Sequence, residues 1–159
     1  MKLYFLSKTF SAKGKCYVYD ENGELRYNIA GHSFWYSDYS VLDTDGNELI
    51  RVCDKVWSWR NRVRIIVNGI QTAEIVERIS WRKKMDIKEL GWYIEASNAF
   101  GKEYSISKDG QELAHINNHV WSVNDKMEVE IFDSAQELNV ISVILAIVIS
   151  NQKAVAAAT

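Results

Sequence analysis

Residues 137–153 read ELNVISVILAIVISNQK, and no charged side chain occurs between Leu138 and Gln152. Aliphatic residues occupy every side of a helical wheel drawn on this stretch. A helix that is apolar all round lies either in a membrane or inside protein. The run offers about twelve apolar residues, fewer than the roughly twenty needed to cross the hydrocarbon layer. This shortfall favours burial inside the protein itself.

The residues before the run predict where the helix begins. Ser134 and Glu137 have the spacing of a capping box, which predicts a helix over about residues 134–150. The many β-branched residues leave a buried strand as the alternative, because they lower helix propensity slightly. The capping box and the length favour the helix. The side chains expected to fill the interior are Val140, Ile141, Val143, Ile144, Leu145, Ile147, Val148 and Ile149.

Turn signals divide the rest of the chain into short segments. They are Asn22-Gly23, Asp45-Gly46, Asn68-Gly69 and Asp109-Gly110. These pairs favour hairpin tips, because Gly and Asn or Asp tolerate positive φ best. The segments around them alternate apolar and polar residues, most clearly in KMEVEIF, with the period of two of a half-buried strand. Similar runs along the chain predict about twelve short strands.

The predicted number of strands is large enough to form a barrel that encloses the helix. An eight-stranded barrel is filled by its own side chains, whereas a larger barrel has a lumen. About twelve strands would enclose a helix of about 10 Å diameter. We therefore predict a mainly β protein, a closed antiparallel barrel of about twelve strands around a central hydrophobic C-terminal helix. Residues 1–152 are expected to form this single domain and residues 153–159 a flexible tail.

The composition is globular, and the charge is unevenly distributed. Hydrophobic residues make up 47% and charged residues 25% of the chain, which excludes a disordered or fibrous protein. The net charge of −2 gives no reason to expect nucleic-acid binding. Between Arg51 and Lys88, however, ten Lys/Arg and four Asp/Glu give a local charge of +6, which leaves −8 for the remainder. The middle of the chain is basic and its flanks are acidic.

The cysteines and the N-terminus predict a cytoplasmic protein. Cys16 and Cys53 form no CxxC pair, and two separate thiols are typical of a reducing compartment. A disulfide between them remains the alternative, because sequence separation does not fix the distance between them. The apolar core at Leu3–Leu6 is too short for a signal peptide.

Two basic segments that contain tryptophan, WSWRNRVR (57–64) and WRKKM (81–85), carry the candidate binding site. The candidate residues are Arg60, Arg62, Arg64, Lys83 and Lys84. The three arginines would share one face of a strand. Arginine binds phosphate bidentately, and tryptophan suits a lipid interface. We therefore predict a non-catalytic binding module for an anionic phospholipid or a phosphorylated ligand. The alternatives are a solvated strand face and, for the function, a structural or protein-interaction domain.

Signals for catalysis or metal binding are weak. His115 and His119 have an H-x3-H spacing, but no third ligand accompanies them. The sequence contains no G-x-S-x-G, P-loop or dinucleotide fingerprint. The six tryptophans are expected to fill the barrel core or cap its ends. An enzyme or ligand-carrying barrel would need an open lumen. We therefore predict no catalytic residue, no cofactor and no metal site.

The order of several stretches resembles a known family. They are CYVYDENGELRYNIAG, VLDTDGNELIRV, VNGIQTAEI, SISKDGQELAHI and ELNVISVILAIVISNQ, within about residues 2–152. In this order they resemble the LURP-one-related family of the tubby C-terminal-like superfamily, which includes tubby proteins and phospholipid scramblases. The resemblance implies a twelve-stranded closed barrel around a central helix and brings no catalytic residues. Family members often carry an acidic residue just after the apolar run, where this chain has Ser150-Asn151-Gln152.

The superfamily also implies partners. Tubby proteins imply phosphoinositide binding through a basic surface, and scramblases imply membrane association. The expected partners are therefore an anionic membrane surface or a phosphoinositide, with a protein partner as the alternative. The resemblance implies a peripheral position at the membrane and gives no reason to expect nucleic acid.

Overall fold

The computed structural model describes residues 1–7, 14–32, 37–55, 57–97, 102–117 and 125–158. Within these ranges, twelve strands form a closed antiparallel barrel in which strands consecutive in sequence are neighbours, and β12 pairs with β1. The predicted fold class is therefore confirmed. The strands are β1 Lys2–Ser7, β2 Lys15–Asp20, β3 Leu25–Gly31, β4 Asp38–Leu42, β5 Glu48–Asp54, β6 Arg62–Val67, β7 Ile70–Arg78, β8 Lys84–Ile87, β9 Trp92–Ala96, β10 Glu103–Lys108, β11 Gln111–Asn117 and β12 Asp125–Ile131.

The two rims of the barrel are built differently. The hairpins β2–β3, β4–β5, β6–β7, β8–β9 and β10–β11 all turn at one rim, here called the hairpin rim. The other connections, among them residues 55–61 and 79–83, leave the strands at the opposite rim, here called the loop rim. Loops carried on a rigid scaffold are where binding residues concentrate. The topology therefore directs attention to the loop rim.

The turn signals read from the sequence are all hairpin tips. Asn68-Gly69 and Asp109-Gly110 have positive φ at both residues, as a two-residue type I′ loop requires. At the other two turns only Gly23 and Gly46 have positive φ, and the loops are longer. There, an aspartate at the base of the loop accepts two backbone N–H groups. The aspartate therefore fixes the turn that the glycine allows.

The C-terminal helix fills the lumen. A 3-10 turn, Ser134–Gln136, leads into α1, Glu137–Ala158. Every residue from Val140 to Ser150 is buried, on all sides of the helix, which confirms the predicted central helix. By length and composition the segment Ser134–Ala158 would also reach across a membrane, but most of its apolar part is buried inside the barrel.

The start of the helix differs in detail from the prediction. The N-cap of the 3-10 turn that leads into α1 is Asp133 and not Ser134, and the Asp133 carboxylate accepts the N–H of Ala135 at 3.1 Å. Glu137 does not complete a capping box. Both of its carboxylate oxygens accept hydrogen bonds from Arg26 of β3 at 2.9 Å. A long-range ion pair thus replaces the predicted local contact, because Glu137 is buried beside β3.

The end of the helix also differs, since α1 continues eight residues beyond the predicted Ser150 and ends at Ala158. Residues 153–158, predicted to be a flexible tail, are therefore helical. Alanine is the strongest helix former, and this segment is rich in it. Lys153 also ties the helix to the barrel through an ion pair with the buried Asp54 of β5.

The two cysteines lie in the barrel wall. Cys16 of β2 and Cys53 of β5 are buried free thiols, so the disulfide alternative is wrong. Burial raises the pKa of Cys16 to about 12. Burial also raises the pKa of Cys53, although the nearby Arg64 opposes this shift. Neither thiol is poised to react as a thiolate.

Candidate functional site

The five predicted basic residues do not form one face, and two of them, Arg62 and Lys84, are held in ion pairs. Arg62 and Arg64 alternate with the buried Val63 and Ile65 and so point outward. Arg62 Nη1 donates to Glu74 Oε2 at 2.9 Å. Exposed ion pairs of this kind contribute little stability, but they remove free positive charge. Arg60 lies in the loop before β6, and the prediction that it shares a strand face with the other two is wrong.

Arg64 lies directly across from Cys53 in the β5–β6 ladder. Its Nε is buried without a hydrogen-bond partner in the part of the chain that the structure describes. A buried unpaired donor is unusual and costs free energy. Arg64 therefore lies on the outer face of β6 with its Nε shielded from solvent beside Cys53.

Lys84 is committed to neighbours on β9. Its Nζ lies 3.1 Å from Glu95 Oε1 and 5.9 Å from the Tyr93 ring centroid. Hydrogen bonding to Tyr93 and Glu95 raises the pKa of Lys84. Arg78 is held similarly, because its guanidinium makes a two-pronged contact with Asp86. The outer surface of β7–β9 is therefore a set of matched ion pairs.

Lys83 points away from solvent, toward the end of α1. Its Nζ donates to Ser150 Oγ at 2.8 Å and also to Asn151 Oδ1. Ser150 Oγ in turn donates to Glu77 Oε2 at 2.6 Å. Burial lowers the pKa of Lys83, and the nearby Glu77 opposes this shift. Lys83 therefore belongs to an internal network, and its predicted role as a surface ligand for anions is not supported by its position.

We call this network the helix-end cluster: Glu77, Lys83, Tyr104, Ser150 and Asn151. Burial raises the pKa of Tyr104 to about 12, a hydrogen bond with Asn151 opposes the shift, and Glu77 adds to it. Within the cluster, β7 supplies the carboxylate of Glu77, which accepts from Ser150 of α1. The role of the cluster is to satisfy the polar groups at the buried end of α1.

A groove on the outside of β6–β8 brings four basic side chains together. Its volume is about 260 Å³. We call it the basic groove, and the residues that line it are Arg60, Arg62, Glu74, Val76, Arg78, Asp86, Lys88 and Glu89. Of the predicted residues, only Arg60 and Arg62 belong to it. Arg60 and Lys88 have no ion pair within the described ranges, whereas Arg62 and Arg78 are paired.

Sequence reasoning missed Arg78 and Lys88. The alternation in β7 contains part of the signal, because Glu74, Val76 and Arg78 share one face. Asp86 lies on β8, and Lys88 follows directly after the end of that strand. These residues lie next to Arg62 because β6, β7 and β8 are neighbours in the barrel. That information comes from the barrel order.

The described tryptophans divide between the barrel core and the loop rim. Trp92 is buried in the core, as expected, but Trp57, Trp59 and Trp81 are almost fully exposed on the loop rim. Trp35 and Trp121 lie outside the described residues. The three exposed rings flank the basic residues of the two segments identified in the sequence.

Two further features bear on catalysis and metal binding. A cavity of about 380 Å³ opens at the hairpin rim between β3, β5, β6 and the start of α1, where Glu137 is engaged by Arg26. In the described part of the chain, no three His, Cys, Asp or Glu residues are grouped to hold a metal ion. His115 contacts Glu112 at 3.3 Å, and His119 lies outside the described residues.

Comparison with known proteins identifies the family. The sequence profile described as LURP-one-related matches residues 1–149, nearly the whole barrel and its helix. This chain belongs to the LURP-one-related family. A LURP-one-related barrel thus encloses the apolar helix from which the fold was predicted, and the family suggests a binding domain.

Two individual proteins are similar to it. The uncharacterized protein YxjI of Bacillus subtilis (strain 168) is 24% identical over 115 residues, which cover 71% of this chain and 70% of that protein. The X-ray structure of the Arabidopsis thaliana protein AT5G01750 superposes with a TM-score of 0.66 at 10% identity, covering 96% of this chain and 91% of that one. At this identity the plant structure shows that the two proteins share the tubby-like fold, and nothing about the ligand.

Proposed function

We propose that this LURP-one-related domain is a non-catalytic module that binds anionic phospholipid surfaces and holds a phosphate-bearing headgroup in the basic groove. The observation that carries the proposal is the convergence of Arg60, Arg62, Arg78 and Lys88 around one cavity of about 260 Å³. Arginine forks match phosphate oxygens bidentately. Arg60 and Lys88 are available for this contact without breaking an ion pair.

The groove suits binding better than catalysis. Its charged groups are guanidinium, ammonium and carboxylate, and two of the guanidinium groups are held in ion pairs with Glu74 and Asp86. A guanidinium remains protonated and does not act as a general base. Preformed pairs of this kind position the cations and prevent them from repelling one another.

The proposed site differs from the predicted one in its members. Arg60 and Arg62 remain. Lys83 lies in the helix-end cluster, Arg64 does not line the groove, and Lys84 is paired with Glu95 of β9. The peripheral position at a membrane, inferred first from the family resemblance, is retained as part of the proposal. A soluble phosphorylated ligand would offer the same phosphate chemistry to the groove.

Vesicle co-sedimentation tests the proposal. Wild-type protein is mixed with phosphatidylcholine vesicles, with or without phosphatidylserine or a phosphoinositide. We expect binding only when anionic lipid is present. The variant Arg60→Glu/Lys88→Glu should bind at least about tenfold more weakly, since each basic residue near an anionic surface contributes about 1 kcal/mol.

The matched control reverses two charges elsewhere. Lys2→Glu/Lys108→Glu changes the net charge equally, at the hairpin-rim ends of strands β1 and β10, which are distant from the groove in the barrel order. Equal losses in the two double variants would reduce the effect to net charge and contradict a groove. Competition by soluble inositol phosphate distinguishes a headgroup pocket from general attraction to the vesicle surface.

A further inference from the structure

Two neighbouring loops at the loop rim, residues 55–61 and 79–83, expose large apolar side chains. We call them the Trp loops. Trp57, Trp59, Ile79 and Trp81 are 96%, 107%, 90% and 103% exposed. Soluble proteins rarely leave several large apolar side chains together in water, and such groups mark interaction sites. The barrel itself gains nothing from these four side chains, because almost no part of them packs against it.

The backbone holds the two loops side by side at their bases. The N–H of Lys55 donates to the carbonyl of Arg62 at 2.9 Å, and the N–H of Glu77 donates to the carbonyl of Asn61 at 3.0 Å. The carbonyl of Lys83 accepts the N–H of Ala96 at 2.9 Å. The bases are therefore part of the barrel rim, and the tips with the apolar side chains project beyond it.

The charge of the Trp loops is entirely positive. They contain Lys55, Arg60, Arg82 and Lys83 and no acidic residue, in a chain whose net charge is −2. Lys55 is paired with Glu74, and Lys83 is held in the helix-end cluster. Arg60 and Arg82 form no ion pair among the residues that the structure describes. The loop tips thus combine apolar rings with cations that complement an anionic surface.

The last turns of α1 emerge at the same rim. Lys153 contacts Asp54 at the end of β5, and the residues that follow, Ala154–Ala158, are exposed and uncharged. Val155 among them is 66% exposed. The end of α1 therefore adds exposed apolar surface to that of the Trp loops at the loop rim.

From these observations we infer that the loop rim docks end-on onto a bilayer, with the tips of the Trp loops in the boundary between headgroups and acyl chains. Tryptophan suits this boundary, because its ring is apolar while its N–H still finds a polar partner. Interfacial binding strengthens with buried apolar area and with attraction to anionic lipid, and the Trp loops supply both. The inference rests on the proposed function and adds the orientation and the inserted residues.

Depth-dependent quenching of tryptophan fluorescence tests the inference on the full-length protein. The vesicles contain phosphatidylserine and phosphatidylcholine, the latter with brominated acyl chains. We expect bound wild-type protein to be quenched. In Trp57→Phe/Trp59→Phe/Trp81→Phe the protein should still bind, because phenylalanine preserves most of the apolar area, but the quenching should largely disappear.

Alanine variants measure the contribution of the rings to binding. Trp59→Ala/Trp81→Ala should bind the vesicles at least about tenfold more weakly, since partitioning scales with the apolar area buried. The matched control is Ile70→Ala/Phe132→Ala, which removes two exposed apolar side chains from the hairpin rim. This control should change binding by less than about twofold. All of these side chains are at least half exposed, so the variants are expected to keep the fold.

The outcomes separate the inference from the proposed function. Binding that requires anionic lipid, with no quenching and no loss in Trp59→Ala/Trp81→Ala, overturns the end-on docking and leaves the proposed function standing. If purely zwitterionic vesicles quench the tryptophan fluorescence of the wild type and bind Trp59→Ala/Trp81→Ala more weakly, the end-on docking is supported and the specificity for anionic lipid is overturned. If wild-type protein binds no vesicle, both fail, and the Trp loops are then the surface for a protein partner.

Discussion

Lys83 Nζ donates a 2.8 Å hydrogen bond to Ser150 Oγ, and this contact joins one of the Trp loops directly to the helix that fills the barrel. The loop that carries Trp81 is thus fixed at its base to the most deeply buried element of the fold. Because Ser150 also donates to Glu77, the end of α1, the end of β7 and the start of β8 form one hydrogen-bonded unit. The rim is therefore a rigid platform for whatever binds to it.

The first prediction concerns this unit. Lys83→Met keeps the aliphatic stem but removes the ammonium, and leaves Ser150 Oγ and Asn151 Oδ1 without the donor that Lys83 supplies. We expect the free energy of unfolding to fall by about 1–3 kcal/mol, the cost of unsatisfied buried polar groups. Lys84→Met, which removes a partly exposed ion pair with Glu95, should cost clearly less, because exposed ion pairs contribute little to stability. Urea denaturation measures both, and equal losses would mean that Lys83 is an ordinary surface residue.

A second prediction concerns the opposite end of the helix. Glu137 is buried and accepts both of its hydrogen bonds from Arg26. Arg26→Met should lower the free energy of unfolding by about 1–3 kcal/mol, because it leaves a buried carboxylate without its cation. Adding Glu137→Gln should restore part of the loss. The control Lys2→Met breaks a pair with Glu128 that is about 40% exposed on both sides, and it should cost clearly less than Arg26→Met, because exposed ion pairs contribute little to stability.

A third prediction follows from the buried acids. Burial raises the pKa of Cys16 from 9.0 to about 12 and that of Tyr104 from 10.0 to about 12. The folded protein keeps these protons at pH values where the unfolded chain releases them. The contribution of these two protonated groups to the free energy of unfolding is complete below pH 9. It is lost as the pH rises toward 12, by up to about 1.4 kcal/mol per pH unit for each group.

Denaturation at a series of alkaline pH values tests this prediction. The slope of stability against pH should be clearly shallower in Cys16→Ala than in the wild type, whatever the absolute stability of the variant. An unchanged slope would show that the thiol of Cys16 titrates equally in the folded and the unfolded chain, contrary to its burial in the barrel wall.

A fourth prediction compares two positions on α1. Leu145 is completely buried in the lumen, whereas Val155 is 66% exposed beyond the rim. Leu145→Ala should cost about 2–5 kcal/mol, because a closed barrel around it cannot collapse to fill the space. Val155→Ala should change stability by less than about 0.5 kcal/mol. Similar costs at both positions would contradict a helix enclosed by strands.

The architecture was predictable because it follows from a single requirement. A segment that is apolar on every side needs an enclosure, and strands marked by turn signals such as Asn68-Gly69 and Asp109-Gly110 provide one. The extent of α1 was underestimated, because the prediction ended the helix with the apolar run. The chain continues into alanines, which sustain a helix without burial.

The candidate site was only partly predictable. Alternation identifies which strand residues face outward, and it placed Arg62 correctly. It does not identify which residues of a rim turn inward, so Lys83 was taken for a surface cation. Composition alone also places tryptophan in the core, whereas the position of Trp57, Trp59 and Trp81 on loops beyond the last ladder hydrogen bonds decides their exposure. Charge pairing between neighbouring strands, which neutralises Lys84, becomes visible only with the barrel order.

The most direct test of end-on binding is hydrogen exchange of the whole chain, compared between the free protein and the protein bound to vesicles that contain phosphatidylserine. For end-on binding we predict slower exchange in residues 55–61 and 79–83 and unchanged exchange at the hairpin tips Asn68-Gly69 and Asp109-Gly110. Slower exchange at those tips, with the Trp loops unaffected, would contradict it.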